Sequence, residues 1–212
     1  FSKSFPNIFF LEKNYIFCHG QSKCVVLFSG KRKSGKDFVA ERVFNRLGAE
    51  HAVIIRLSAP IKSHWAEKEG LSLAELMGTS EYKETYRKNM IKWGEEKRLE
   101  DPGYFCQAAI KMTNANLKPV WIISDARRIT DLEWFQSHYG NSLLTVRIRA
   151  DIDVRKKRGW ILRVDDAETE CGLDSVNSWD VIIDNNHSED YLEEKIDEIL
   201  NWVKNKCLHD FN

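Results

Sequence analysis

An apolar run, Cys24–Ser29 (CVVLFS), leads directly into Gly30-Lys31-Arg32-Lys33-Ser34-Gly35-Lys36, and a helical pattern follows with Phe38, Val39, Val43, Phe44 and Leu47 on one face. A short, continuous apolar run ending at a glycine suits a strand buried on both sides. The spacing GxxxxGK needs its glycines for a backbone that curls around an anion, so that amide groups and the helix N-terminus face it. Lys36 would then reach the β and γ phosphates of a nucleotide. Without the flanking strand and helix the same residues would read as a Gly/Lys surface turn. With them, the unit points to an α/β domain that uses ATP.

The rest of the chain repeats the alternation of strand and helix. Further strands are expected at 52–57, 120–124 (VWIIS), 143–149 and 181–183. Helices are expected at 37–47, 59–69, 72–77, 80–100, 104–115, 131–139, 151–158 and 189–204, the 80–100 helix entered through the capping pattern Thr79-Ser80-Glu81. Strands joined by helices pair in parallel through right-handed crossovers. The fold class is therefore α/β: a three-layer, doubly wound, five-stranded parallel sheet of the P-loop kinase kind, with a mobile lid. Residues 1–23 read as an N-terminal extension, disordered or packed on the body, and 24–205 as the kinase domain. The lid falls at about 151–178, and 206–212 form a tail.

Two features set the phosphate loop apart. Lys31, Arg32 and Lys33 place three cations in a row before Lys36, which suits either a solvated basic turn or the neutralisation of two highly charged substrates. Asp37 stands where such loops usually carry Ser or Thr. Its carboxylate can bind Mg²⁺ directly or through water, or simply favour the helix N-terminus. Asp125, at the end of the third strand, is placed either to hold Mg²⁺ through water or to cap the next helix. Arg127 and Arg128 follow at the same strand end, where guanidinium forks match phosphate oxygens; a solvated surface pair is the other reading. Lys83, Arg87 and Arg98 lie near one face of the 80–100 helix, among enough glutamates for a salt-bridged solvent helix. Arg147, Arg149, Arg155 and Arg158 crowd the fourth strand and the helix after it.

Thirty-two basic residues balance thirty-two acidic ones in 212, so net charge indicates neither nucleic-acid nor membrane partners. No apolar run approaches a membrane span. The five cysteines (18, 24, 106, 171 and 207) show no metal-ligand spacing. They read as reduced, buried thiols of a cytosolic protein. The histidines form no constellation with a nucleophile.

The stretches LFSGKRKSGKDF (27–38), RLSAPIK (56–62), YKETYRKNMIKWGEEKR (82–98), DPGYFC (101–106), SDARR (124–128), KRGW (157–160) and VDDAETECGLD (164–174) resemble animal-type phosphomevalonate kinases, of the nucleoside-monophosphate-kinase-like fold. The resemblance runs over about 25–204 and leaves out 1–23. It implies transfer of the ATP γ-phosphoryl group to (R)-5-phosphomevalonate in isoprenoid and sterol synthesis, by a monomer in the cytosol, with Mg²⁺. Residues 30–37 (Gly30, Lys31, Arg32, Lys33, Ser34, Gly35, Lys36, Asp37) and Arg158 would serve ATP. Lys83, Arg87, Arg98, Arg127, Arg128, Arg147 and Asn185 would serve the acceptor. Lys36, Arg32, Arg127, Arg128 and Arg158 would carry catalysis, and Asp37 or Asp125 would anchor the metal. Asp165 matches an acidic lid residue. The chain departs from the family at Ile161-Leu162-Arg163, a link about two residues shorter than usual, and at Asn186, where the family usually has His. A nucleoside-monophosphate kinase is the alternative.

Overall fold

The structure is a computed structural model and describes residues 23–77, 81–161 and 170–207, with the side chains of 75, 77 and 81–84 outside the description. Five strands, β1 (Cys24–Gly30), β2 (Ala52–Ile55), β3 (Val120–Ala126), β4 (Leu143–Arg149) and β5 (Val181–Asp184), form one parallel sheet in the order β2-β3-β1-β4-β5. All seven residues of β1 are buried, as its central position requires. Alternate residues point to opposite faces, which divides the core in two. Cys24, Val26 and Phe28 join Val39 and Val43 of helix α1 (Lys36–Leu47) and Leu192, Ile196 and Ile199 of the C-terminal helix α8 (Glu189–Cys207). On the other face Val25, Leu27, Trp121 and Ile123 meet helices α5 (Tyr104–Met112) and α6 (Ile129–Tyr139) through Cys106, Ala109, Leu132 and Phe135. The fold class is the one expected: helices on both faces of a five-stranded parallel sheet.

Helices α2 (Ala59–Glu69), α3 (Leu73–Met77) and α4 (Glu81–Glu100) gather around a separate cluster of Trp65, Leu76 and Met90. They leave the sheet beyond β2 and stand beside the carboxyl ends of the strands. The chain fills β2 and β3 on one side of β1 before crossing to β4 and β5 on the other. The end of β1 is thus the topological switch point, where open α/β sheets bind ligands.

Several element ends differ from those the sequence suggests. Strand β3 continues past Ser124 to Ala126, because Ala126 still pairs with Ser29 after a register shift in β1. Helix α6 begins at Ile129 rather than Asp131, and the helix expected to reach 115 stops at Met112 before a 3₁₀ turn at Ala115–Leu117. Helix α7 (Ile152–Lys157) is one residue shorter at each end than expected, and α8 runs to Cys207, three residues past 204. The extension to residue 22, Thr79 and Ser80 of the capping pattern, and 162–169 lie outside the described residues. Among the described residues no helix is long and apolar enough to cross a membrane.

The cysteine reading is corrected. Cys24, at the start of β1, and Cys207, at the end of α8, form a disulfide across 183 residues with Cα atoms 6.0 Å apart. Cys171 is exposed, and Cys106 alone among the described cysteines is a buried thiol. Spacing along the chain gave no sign of the pair, because α8 packing across β1 is what brings the two ends together. Closing so long a loop restricts the unfolded chain, so reduction, or Cys207→Ser, is expected to lower unfolding stability by on the order of 2–4 kcal/mol. Urea unfolding with and without a thiol reductant measures this, and coincident curves would show that the bond contributes nothing.

Candidate active site

The phosphate loop is built by backbone geometry. Lys33 (φ 65°) and Gly35 (φ 97°) both adopt left-handed conformations. A Cβ on Gly35 would also collide with the Asn185 amide, and one on Gly30 would come within 2.7 Å of the Ile148 carbonyl. These two positions therefore need glycine for space, and Gly35 also needs it for chirality. The Ser34 N–H donates to the Lys31 carbonyl at 3.0 Å and closes the turn. From outside, Asn185 Nδ2 donates to the Ser34 carbonyl (2.8 Å) and Arg158 Nη1 to the same oxygen (3.1 Å). Arg158 Nη2 donates to the Asn185 carbonyl (3.1 Å), and Arg155 Nε to the Arg32 carbonyl (2.8 Å). These donors occupy loop carbonyls that would repel a phosphate if turned toward it. Lys36 is only 5% exposed, and its ammonium meets the Asp37 carboxylate at 2.8 Å.

Beside the loop, between β3 and helices α2 and α4, lies a cleft of ≈ 160 Å³. Among the described residues five cations line it (Lys62, Arg87, Arg98, Arg127 and Arg128) against three carboxylates (Glu95, Asp125 and Asp131), a local positive balance in a chain of zero net charge. Leu57, Ile61, Met90 and Ile91 supply an apolar wall. Burial holds the Lys62 ammonium below its ordinary pKa; Arg127 and Arg56 add to that effect, while Asp125 and Asp37 oppose it.

The carboxylates place the cations. Asp125 accepts the backbone N–H groups of Leu57 (2.6 Å) and Ser58 (3.2 Å), which fixes the turn from β2 into α2. Asp131, in the first turn of α6, accepts the N–H groups of Arg127 (3.3 Å) and Arg128 (3.1 Å) and lies 3.7 Å from Arg98 Nε. Glu95 takes Arg128 through Nε (2.9 Å) and Nη2 (2.7 Å). The Arg98 guanidinium also lies over the Phe105 ring, 4.6 Å from its centroid.

The sequence model of the phosphomevalonate kinase family matches residues 28–141, more than half of the chain. This chain belongs to the phosphomevalonate kinase family. A phosphomevalonate kinase of Drosophila melanogaster is 41% identical over 185 residues, covering 85% of this chain and 96% of that protein. Among solved structures, that of APE1195 superposes with a TM-score of 0.51 at 14% identity, over 88% of this chain and 97% of that one. That likeness speaks to the fold alone.

In this family member, the structure brings Arg87, Arg98, Arg127 and Arg128 together in the cleft. Arg147 and Asn185, expected with them, sit elsewhere. Arg147 donates to Ser29 Oγ (2.8 Å) and Asp174 (2.6 Å), while Asn185 props the phosphate loop beside Arg158. Lys83 lies on α4 one turn before Arg87, its side chain outside the description, and Asp165 and most of the shortened link are outside it too. Five residues that the sequence reading left out of the site belong to it: Lys62, Asp131, Arg155, Glu170 and Asp174. Lys62 ends the RLSAPIK stretch, and Asp131 stands three residues after Arg128, the spacing of a capping box; both were visible signals. Glu170 and Asp174 stand in the quoted VDDAETECGLD stretch, but nothing in it showed which cations they meet, because those partners are remote in sequence.

Truncating Asp131 leaves two backbone N–H groups without their buried acceptor and Arg98 without its nearby counter-charge, so Asp131→Ala is expected to cost on the order of 3 kcal/mol in urea unfolding. Burial raises the Asp131 carboxyl pKa, against the pull of Arg98 and the two backbone donors. With the folded pKa above the unfolded one, its contribution is full below the ordinary carboxylate range and declines as pH rises through the raised value. That acid-side slope should be missing from the variant; an unchanged slope would assign it to another group.

Proposed function

We propose that this chain transfers the γ-phosphoryl group of ATP to the phosphate of (R)-5-phosphomevalonate, giving 5-diphosphomevalonate and ADP. The observation that carries the reading is the cleft beside the phosphate loop, where five cations face three carboxylates along an apolar wall. A small acceptor with anionic groups on a short carbon skeleton suits such a surface. Among the described residues no aromatic ring and no Asn or Gln lines the cleft, so these residues offer a nucleobase neither stacking nor a side-chain amide partner. This weighs against a nucleoside monophosphate as acceptor. Family membership and the Drosophila relative support the same reading.

The acceptor phosphate is anionic near neutral pH, so one of its oxygens can attack without a general base. The bond from that oxygen to the γ-phosphorus forms as the bond to the ADP oxygen breaks. What remains for the protein is alignment of two polyanions and neutralisation of charge. Lys36 would exchange Asp37 for phosphate oxygens, and Arg127 and Arg128 would grip the acceptor with their guanidinium forks. Asp37 and Asp125 are hard oxygen donors that both attract the Lys62 ammonium, and either would suit Mg²⁺ held mostly by nucleotide and water oxygens. Mg²⁺ bound there would add neutralisation at the β and γ oxygens.

A coupled ADP-release assay with phosphomevalonate beside AMP, CMP, UMP and GMP tests the reading. Turnover is expected with phosphomevalonate; a preference for any nucleotide would overturn it. Arg127→Ala or Arg128→Ala should raise the acceptor KM more than the ATP Kd measured by calorimetry, and an equal loss of ATP affinity would contradict that division. Lys36→Met should lower kcat by on the order of 10²-fold or more with the fold intact, and near-parental turnover would remove Lys36 from the mechanism.

A further inference from the structure

Two carboxylates on one short segment, Glu170 and Asp174, each join a cation of the phosphate loop to a second cation, Arg127 just past β3 for Glu170 and Arg147 of β4 for Asp174. The Glu170 side chain is only 3% exposed. It accepts the backbone N–H of Arg32, lies 3.8 Å from the Arg32 guanidinium and takes Arg127 Nη1 at 2.5 Å. Asp174 takes the Lys31 ammonium at 2.7 Å and Arg147 Nη2 at 2.6 Å. The segment itself is anchored. Leu173 is 2% exposed in the core, and a Cβ on Gly172 would come within 2.5 Å of the Arg127 carbonyl.

We infer that Glu170 is a positioning residue for phosphoryl transfer: one buried carboxylate fixes Arg32, on the ATP side, and Arg127, on the acceptor side, relative to each other. Two guanidinium groups brought to one place repel. A carboxylate between them turns that repulsion into two attractions and sets their separation. In-line transfer depends on that separation, since the cations hold different substrates that must meet along one axis. Asp174 makes the parallel link between Lys31 and Arg147. Glu170 touches no reactant in this scheme. The opposing possibility is a placeholder anion that substrates must displace, for which its removal would raise activity.

The inference rests on the phosphomevalonate reading, and steady-state kinetics of E170Q and E170D separate the two. E170Q keeps the shape and loses the charge; E170D keeps the charge on a shorter arm. E170Q is expected to lower kcat by on the order of 10²-fold and raise the phosphomevalonate KM, with the ATP Kd within about twofold because Asn185, Arg155 and Arg158 still prop the loop. E170D should recover part of kcat. Parental kinetics in E170Q, a higher kcat/KM, or a kcat that falls only with the folded fraction at unchanged KM would each overturn the inference. If E170Q does not fold, E170D decides alone: a lower kcat with a raised acceptor KM supports the role, and parental constants refute it. If the parent chain does not turn over phosphomevalonate, both the functional reading and this inference fall; parental turnover with an indifferent Glu170 sinks the inference alone.

Discussion

Like charges gathered at one end of a sheet repel, and this protein gathers many. Lys31, Arg32, Lys36, Arg127, Arg128, Arg147 and Arg158 all converge near the carboxyl ends of β1, β3 and β4. The molecule manages this by giving the cations internal acceptors: Asp37 for Lys36, Glu170 for Arg32 and Arg127, Asp174 for Lys31 and Arg147, Glu95 for Arg128. At this end of the sheet the chain's even balance of charge is thus spatial as well as numerical. Where the described carboxylates run short, in the cleft beside the loop, a surplus of positive charge remains, which the proposed function assigns to the acceptor.

The sheet topology makes that arrangement possible. Because β1 lies in the middle and the chain crosses from one side of it to the other, the loop after β1 is flanked by the ends of both neighbours. Asn185 after β5 and Arg155 and Arg158 after β4 hold the loop's carbonyls from one side. On the other side β3 carries Asp125 near its end and is followed by Arg127 and Arg128, and helices α2 and α4 of the small helical cluster line the cleft. A phosphate loop and a cationic cleft are therefore neighbours by construction, as transfer between two phosphates demands.

The same division shows in how the roles of acidic residues are assigned. Asp125 sits at the strand end where a metal anchor is expected, yet both of its oxygens also hold the turn into α2. Asp131 shapes the arginine pair through their backbone, not their side chains. Arg147 and Asn185 support the loop instead of lining the cleft. In each case the residue type was the informative part of the sequence, and the partner was not.

Local pattern determined a great deal here. GKRKSGKD after a buried strand and before an amphipathic helix specified the phosphate loop, since its glycines and its lysine act through the backbone immediately around them. The alternation of apolar runs with helical periods specified a parallel sheet covered on both faces, because only that arrangement buries such strands. Helical spacing put Arg87 near Arg98, and strand-end position put Arg127 beside Arg128, but a solvated reading stayed open for each pair; only the family resemblance implied them as one set. Tertiary structure alone decided which contacts cross the chain. Lys62 enters the cleft, Glu170 and Asp174 bridge cations more than a hundred residues away from them on the phosphate loop, and Cys24 meets Cys207 over 183 residues. No periodicity encodes such pairs, because the distance between two side chains on different elements is set by how the layers pack, and that is a property of the whole chain.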